Sequence, residues 1–323
     1  MVAWLFSIFL ALASCLCTKA ACPMPRTIHP CTCETMTDET GDDFSIIHCH
    51  NLHSEEDLTR ILAATKKHII FELQLVDCIL RYLPHSAFED TTFEVFSIHN
   101  STLRTLSDDT VAFKGLEKNL HLIEVINCTF VSDWDWSQLQ NLKHLMEIHV
   151  SHSELVDLTD SISKIQHLDD IEGFSFTQNK IEVLEENVFA PFFFLQRLTL
   201  DHNYIKQLKR SMLPSRAEHL QILGLSYNYL KTLPADMFLG MPALRSLYLT
   251  GNPLYTIDEA VFKPVWNQLH LFLFYGTPLS CDCRLIWLTK ADNSKKFIHA
   301  ECYGPASFKG RPLHSVQPHE LWC

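Results

Sequence analysis

The 323-residue sequence lacks the short motifs that announce common chemistries. It has no glycine-rich phosphate loop, no Gly-x-Ser-x-Gly turn and no His-Glu-x-x-His pair, so nucleotide transfer, serine hydrolysis and zinc proteolysis have no signature here. Beyond residue 20 no stretch approaches the ~20 consecutive apolar residues of a membrane helix, and no lipid-anchor tail follows Cys323; the chain is expected to carry no membrane anchor. It also lacks an excess of base. Lysine and arginine number 26 against 38 acidic residues, a formal charge of −12, which argues against nucleic acid or anionic membrane as the main partner. The 18 histidines make the surface potential responsive to mild acid.

What is present begins with an apolar run, MVAWLFSIFLALASCLCTKA, ending in small residues. It is too short to span a bilayer and predicts a secretory signal over 1–20, cut between Ala20 and Ala21. Leu12-Ala13-Ser14-Cys15 also fits a bacterial lipoprotein cleavage box, but there is no basic residue ahead of the apolar run. The mature chain is expected to be secreted.

A recurring stretch dominates the remainder. In LQILGLSYNYLKTLPADMF, Leu220, Leu223, Leu225, Asn228, Leu230 and Leu233 occupy positions 1, 4, 6, 9, 11 and 14. The frame recurs from Ile70, Phe93, Leu120, Leu145, Ile171, Leu195, Leu220, Leu244 and Leu269, at offsets of 23 to 27 residues. Strand side chains alternate, so positions 4 and 6 point inward and positions 3, 5 and 7 point to the open side. Asn228 is expected to turn the chain and to hydrogen-bond the backbone of the next coil. One coil cannot bury its own apolar face, but a stack can. The pattern is that of the leucine-rich repeat. It predicts an α/β solenoid of about nine coils, with a concave parallel sheet inside and irregular or short helical segments outside.

Both ends of such a stack need caps, and cysteines stand at both. Cys22, Cys31, Cys33 and Cys49 precede the repeats; Cys281, Cys283, Cys302 and Cys323 follow them. The expected organisation is a cap over 21–69, repeats over 70–276 and a second cap over 277–323. In a secreted chain each cluster reads as two disulfides, with three connectivities open per cap. Zinc is the alternative for four cysteines, disfavoured by the oxidising compartment and by Cys-x-Cys in place of Cys-x-x-Cys spacing.

With these caps, the sequence resembles extracellular leucine-rich-repeat proteins of the kind found in Slit and Toll-like ectodomains. Pro278, Cys281, Asp282, Cys283, Leu285, Trp287, Leu288, Pro305, Gly310 and Leu313 match the C-terminal flanking module of that family. The resemblance implies the pairs Cys22–Cys33, Cys31–Cys49, Cys281–Cys302 and Cys283–Cys323. The opening ACPMPRTIHPCTC is also similar to the N-terminal cap of the repeat-containing, non-catalytic subunit of a decapod-shrimp luciferase.

Position 9 reads Cys78, Ser101, Cys128, Ser153, Asn179, Asn203, Asn228, Asn252 and Thr277. Cys78 and Cys128 lie two coils apart, roughly 10 Å at strand spacing, beyond disulfide reach; both are expected to be buried free thiols. Amides make more bonds than thiols or hydroxyls, so the N-terminal half is expected to be the more mobile. Asn100-Ser101-Thr102 and Asn127-Cys128-Thr129 are glycosylation sequons at position 8 of consecutive coils.

On the open side, acidic and histidine groups gather N-terminally, small groups in the middle, and apolar or aromatic groups C-terminally. Ile222, Tyr248, Leu271, Leu273 and Tyr275 form a candidate contact patch; the competing expectation is that the cap's own loop covers it. Glu124, Glu147 and His149 stand on adjacent strands, where an acid–base pair or a metal is conceivable, although no third fixed group accompanies them. Ala190-Pro191-Phe192-Phe193-Phe194 is a weaker candidate, with one of its last two phenylalanines partly exposed.

The expected function is non-enzymatic binding of an extracellular protein ligand, without cofactor or metal. Two alternatives accompany it. One is a non-catalytic subunit stabilising a secreted enzyme partner such as a luciferase-like monooxygenase; the other is an enzyme using Glu147 and His149. The apolar patch also permits a homodimer.

Overall fold

The computed structural model describes residues 21–131, 134–165, 167–291, 293–294 and 296–323; the expected signal at 1–20 lies outside the described residues. Twelve strands form one sheet in spatial succession along the chain. β1 (Thr32–Thr37) and β2 (Asp43–His50) make an antiparallel hairpin. Parallel pairing then runs through β3 (Glu72–Val76), β4 (Val95–His99), β5 (Leu122–Ile126), β6 (Glu147–Ser151), β7 (Gly173–Thr177) and β8 (Arg197–Thr199). It continues through β9 (Ile222–Gly224), β10 (Ser246–Tyr248), β11 (Leu271–Phe274) and β12 (Phe297–Ala300). The sheet therefore extends past the expected 70–276 boundary at both ends, because β2 and β12 of the caps donate strands to it.

The repeat frame explains the register. The position-4 side chains Leu73, Phe96, Ile123, Ile148, Phe174, Leu198, Leu223, Leu247 and Phe272 align across the sheet, and none is more than 1% exposed. Each Leu, Ile or Phe so buried contributes about 1.5–3 kcal/mol relative to exposure. The outer wall is built from short 3₁₀ turns such as His85–Phe88 and Trp136–Leu139, and from the helix Glu259–Trp266. It also contains two small parallel sheets that the periodicity did not foretell. Ile79–Leu80, Thr102–Leu103 and Thr129–Phe130 pair in one, Asp157–Leu158 and Val183–Leu184 in the other.

After each strand the chain turns through a left-handed residue at position 8. Asp77, Asn100, Asn127, His152, Gln178, His202 and Tyr227 hold φ between 51° and 57° there, and Gly251 and Gly276 complete the column. Position 9 then points inward. Asn228 Nδ2 donates to Leu200 O at 2.9 Å, and its Oδ1 accepts from Ile205 N at 3.1 Å. Both partners belong to the preceding coil, a correction to the expected direction, because the inward-turned amide faces back along the stack. Asn179, Asn203 and Asn252 likewise bond backward. Toward the N-terminus the smaller groups continue the ladder: Ser101 Oγ accepts from Cys78 N and Ser153 Oγ from Cys128 N, at 2.9 and 3.1 Å. Cys78 and Cys128 are buried and unpaired, their thiols directed at backbone carbonyls.

At the N-terminal end the helix Glu55–Thr65, capped by the Ser54 hydroxyl, buries Leu58, Ile61 and Leu62 against the first coil. Disulfides join Cys22–Cys33, Cys31–Cys49, Cys281–Cys302 and Cys283–Cys323. Each such link stabilises by about 2–4 kcal/mol, mainly by restricting the unfolded chain. In the C-terminal cap Trp287 donates from Nε1 to Ile257 O and meets Trp266 edge-on.

Candidate binding face

The open side of the sheet is set by strand register, so its chemistry can be followed row by row. In the N-terminal half its carboxylates are answered internally. His48 lies 2.9 Å from Glu34 and 2.6 Å from Gln74. The Ser97 hydroxyl donates to Glu72 at 2.7 Å, and His99 lies 3.3 Å from Glu124. Glu147 meets His149 at 2.7 Å and accepts from the Arg197 guanidinium at 2.9 Å.

Arg197 reaches two strands because Gly173 stands between. A Cβ on Gly173 would lie 3.2 Å from Glu147 Cγ and 3.5 Å from Arg197 Nη1, so a side chain there would crowd the bridge. Burial opposes ionisation of Glu147, but the bond from His149 and the Arg197 charge outweigh it and hold the carboxyl below its ordinary range. At Glu72 burial prevails over the Ser97 bond and raises the carboxyl. Burial likewise raises Asp201, whose Oδ1 accepts from Ser226 N at 2.6 Å.

The Glu124, Glu147 and His149 set is therefore divided: Glu124 serves His99, while Glu147 is clamped between His149 and Arg197. Among the described residues, three potential metal ligands gather at Asp282, Cys283 and Cys323, but the two cysteines are joined as a disulfide, which removes their thiolates.

The C-terminal half differs. One row runs Arg197, Ile222, Ser246, Leu271 and Phe297; the next runs Thr199, Gly224, Tyr248, Leu273 and His299. Ile222, Tyr248, Leu271 and Leu273 are half-buried, Tyr275 is 38% exposed and Phe297 64%. The cap's strand β12 lies beside β11 and lengthens the apolar floor with Phe297.

The rim beside this floor is aromatic. His202 stacks on Tyr227 with ring centroids 4.2 Å apart, and Tyr275 stacks on His299 at 4.7 Å. The sequence frame marked Tyr275 but missed Tyr227, His202, Phe297 and His299. Position 8 was treated as a turn, and the cap was not expected to supply a strand. On the outer wall both Phe193 and Phe194 are exposed, the first under Arg216 and the second stacked with His219. The sequon asparagines Asn100 and Asn127 are exposed side by side on the same rim column as Tyr227, with Asn127 Nδ2 donating to Asn100 Oδ1 at 2.9 Å.

The leucine rich repeat family profile matches residues 194–254, the segment that holds Asn203, Asn228 and Asn252 of the asparagine ladder. The fold is the leucine-rich-repeat solenoid. This repeat protein is 22% identical over 322 residues to the Oplophorus-luciferin 2-monooxygenase non-catalytic subunit of Oplophorus gracilirostris, covering 92% of this chain and 86% of that one. It is 31% identical to rabbit (Oryctolagus cuniculus) lumican over 123 residues, 38% of this chain and 58% of lumican. It is 27% identical to chicken (Gallus gallus) Tsukushi over 209 residues, 63% of this chain and 53% of Tsukushi. The repeat chain thus spans little more than half of lumican and Tsukushi, and most of the shrimp subunit.

Proposed function

We propose that this leucine-rich-repeat chain is an extracellular, non-catalytic protein-binding module that works through the C-terminal end of its concave face. The observation that carries the reading is the partly exposed apolar floor of Ile222, Tyr248, Leu271, Leu273 and Phe297, bordered by Tyr275. Monomeric proteins seldom leave such a surface open unless it contacts something, and tyrosine suits a face that is part apolar and part wet. Four disulfides support an oxidising compartment, in keeping with the signal expected at 1–20. Glycans on Asn100 and Asn127 would cover the rim of the N-terminal half and leave the C-terminal half free. Internal engagement of Glu147 and His149 disfavours the enzyme alternative.

A second reading has its own support. Alignment with a non-catalytic enzyme subunit over 92% of the chain favours a stable, stoichiometric companion carrying the chemistry. Native purification from the source secretion, with mass by size exclusion, tests both. A one-to-one complex with an active enzyme supports the subunit reading, and a twofold mass without a companion supports a homodimer. Binding of any isolated partner should fall at least tenfold in Leu271→Ser or Tyr275→Ala; unchanged binding in both would remove the C-terminal face from the proposal.

A further inference from the structure

The concave face is electrically divided, and the division specifies the chemistry of what binds. Arg245, His270 and Lys296 stand immediately before three successive strands, β10, β11 and β12, at the edge of the apolar floor, with His270 N donating to Arg245 O at 2.8 Å and Phe297 N to His270 O at 2.7 Å. Among the described residues none of the three meets a carboxylate. Arg245 spends Nη1 on the carbonyls of Pro242 and Leu244, at 2.9 and 3.2 Å. His299 adds a second imidazole on the far side of the floor, stacked on Tyr275. At the other end of the face Glu34, Glu72, Glu124 and Glu147 already have partners. A chain of formal charge −12 therefore keeps an unanswered basic edge along the apolar C-terminal part of its inner sheet.

We propose that this edge and floor recognise an acidic, apolar segment of a partner protein, with carboxylates along Arg245, His270 and Lys296 and leucine- or phenylalanine-sized groups on Leu271, Leu273 and Phe297. The inference rests on the protein-binding reading above and adds the sign and the orientation. Carboxylates fit the basic edge, whereas in the N-terminal half the histidine, arginine and hydroxyl donors already serve the sheet's own carboxylates, so an acidic segment finds unengaged basic groups at one end of the sheet. Rim charges of this kind act mainly on association rate and on its dependence on salt.

The test uses the full secreted protein and three soluble peptides of about twelve residues. One alternates glutamate with leucine and phenylalanine, one replaces each glutamate by lysine, and one keeps the glutamates with serine in place of the apolar residues. The acidic apolar peptide should bind at least tenfold more tightly than either of the others and weaken as salt rises. Combined Arg245→Gln, His270→Gln and Lys296→Gln should reduce its binding about tenfold and flatten the salt dependence. Glu72→Gln, at the other end of the sheet, should leave it unchanged. Circular dichroism establishes that each variant is folded.

Equal or tighter binding of the lysine peptide, or binding indifferent to the triple substitution, overturns the proposal. So does capture of the serine peptide or of anionic vesicles with equal strength, which would indicate charge attraction alone. If a partner from the native purification depends on Leu271 but not on the three basic residues, the acidic-segment proposal fails and the protein-binding reading stands. If it depends on neither, both fail.

Discussion

The Tyr227 hydroxyl lies 3.1 Å from that of Tyr275, 48 residues further along the chain. Between them passes Gly251, whose place in the position-8 column would otherwise be filled by a side chain. A Cβ there would stand 2.6 Å from Tyr227 Cδ1, and the glycine holds φ 70°. The bridge therefore exists because one coil presents no side chain at this corner. With His202 and His299 stacked at its ends, it ties the last coils to the cap. Gly251→Ala should destabilise the protein by about 1–3 kcal/mol through strain and displacement of the ring. Tyr227→Phe should cost only about 0.5–1.5 kcal/mol, the worth of one exposed hydrogen bond. Urea unfolding compares the two, and equal losses would contradict the steric account.

The ladder at position 9 should make the halves unequal. Asn203→Ala leaves Ile181 N and Phe176 O without their buried partner and should cost about 2–4 kcal/mol. Ser101→Ala strands only Cys78 N and should cost about 1–2 kcal/mol. Hydrogen exchange should be slower at the buried amides around Asn179, Asn203, Asn228 and Asn252 than around Ser101 and Cys128. Equal protection would refute the difference in mobility.

Two carboxylates on the inner sheet should respond to pH with opposite sign. The folded value of Glu147 is depressed, so its stabilisation is present above the unfolded carboxylate range, ~4.3, and is lost as pH falls through the folded value. The folded value of Glu72 is raised, so its contribution is present below the unfolded value and is lost as pH rises through the folded one. At neutral pH Glu147→Gln should lose about 1–3 kcal/mol, less than a fully buried pair because Arg197 is partly solvated. Glu72→Gln should be neutral or stabilising. Denaturant midpoints measured from acid to neutral pH check both signs.

Cys78 and Cys128 are 1% and 2% exposed. Burial raises both thiols, Cys128 to about 11, and a thiol without thiolate character is a poor nucleophile. A thiol reagent at neutral pH should find no rapidly reacting group in the native protein and about two equivalents after unfolding in denaturant. Rapid native labelling would place at least one of them at the surface.

If Asn100 and Asn127 are both modified, Asn100→Gln and Asn127→Gln should each remove one glycan by mass, and glycosidase treatment should remove both from the parent. Retention of the Asn127–Asn100 hydrogen bond is compatible with this, because a substituted amide keeps one N–H and its oxygen. Masses unchanged by both substitutions would eliminate glycosylation at this corner.

The local pattern was sufficient for the repeat. Leu223, Leu225 and Asn228 recur at a spacing that only a stacked strand-and-turn unit satisfies, and alternation alone then decides which side chains reach the open face. The cysteine clusters fall in the two terminal segments, although strands of both segments continue the sheet, and two-coil spacing was enough to separate Cys78 from Cys128. Other features depend on residues far apart in sequence. Arg197 finds Glu147 across the gap left by Gly173, and Tyr227 finds Tyr275 across Gly251. Phe297 extends the apolar floor because a cap segment without the repeat frame pairs with β11. Periodicity constrains each coil separately; which partners meet across two coils depends on the curvature and register of the assembled sheet, and those arise only when the coils stack.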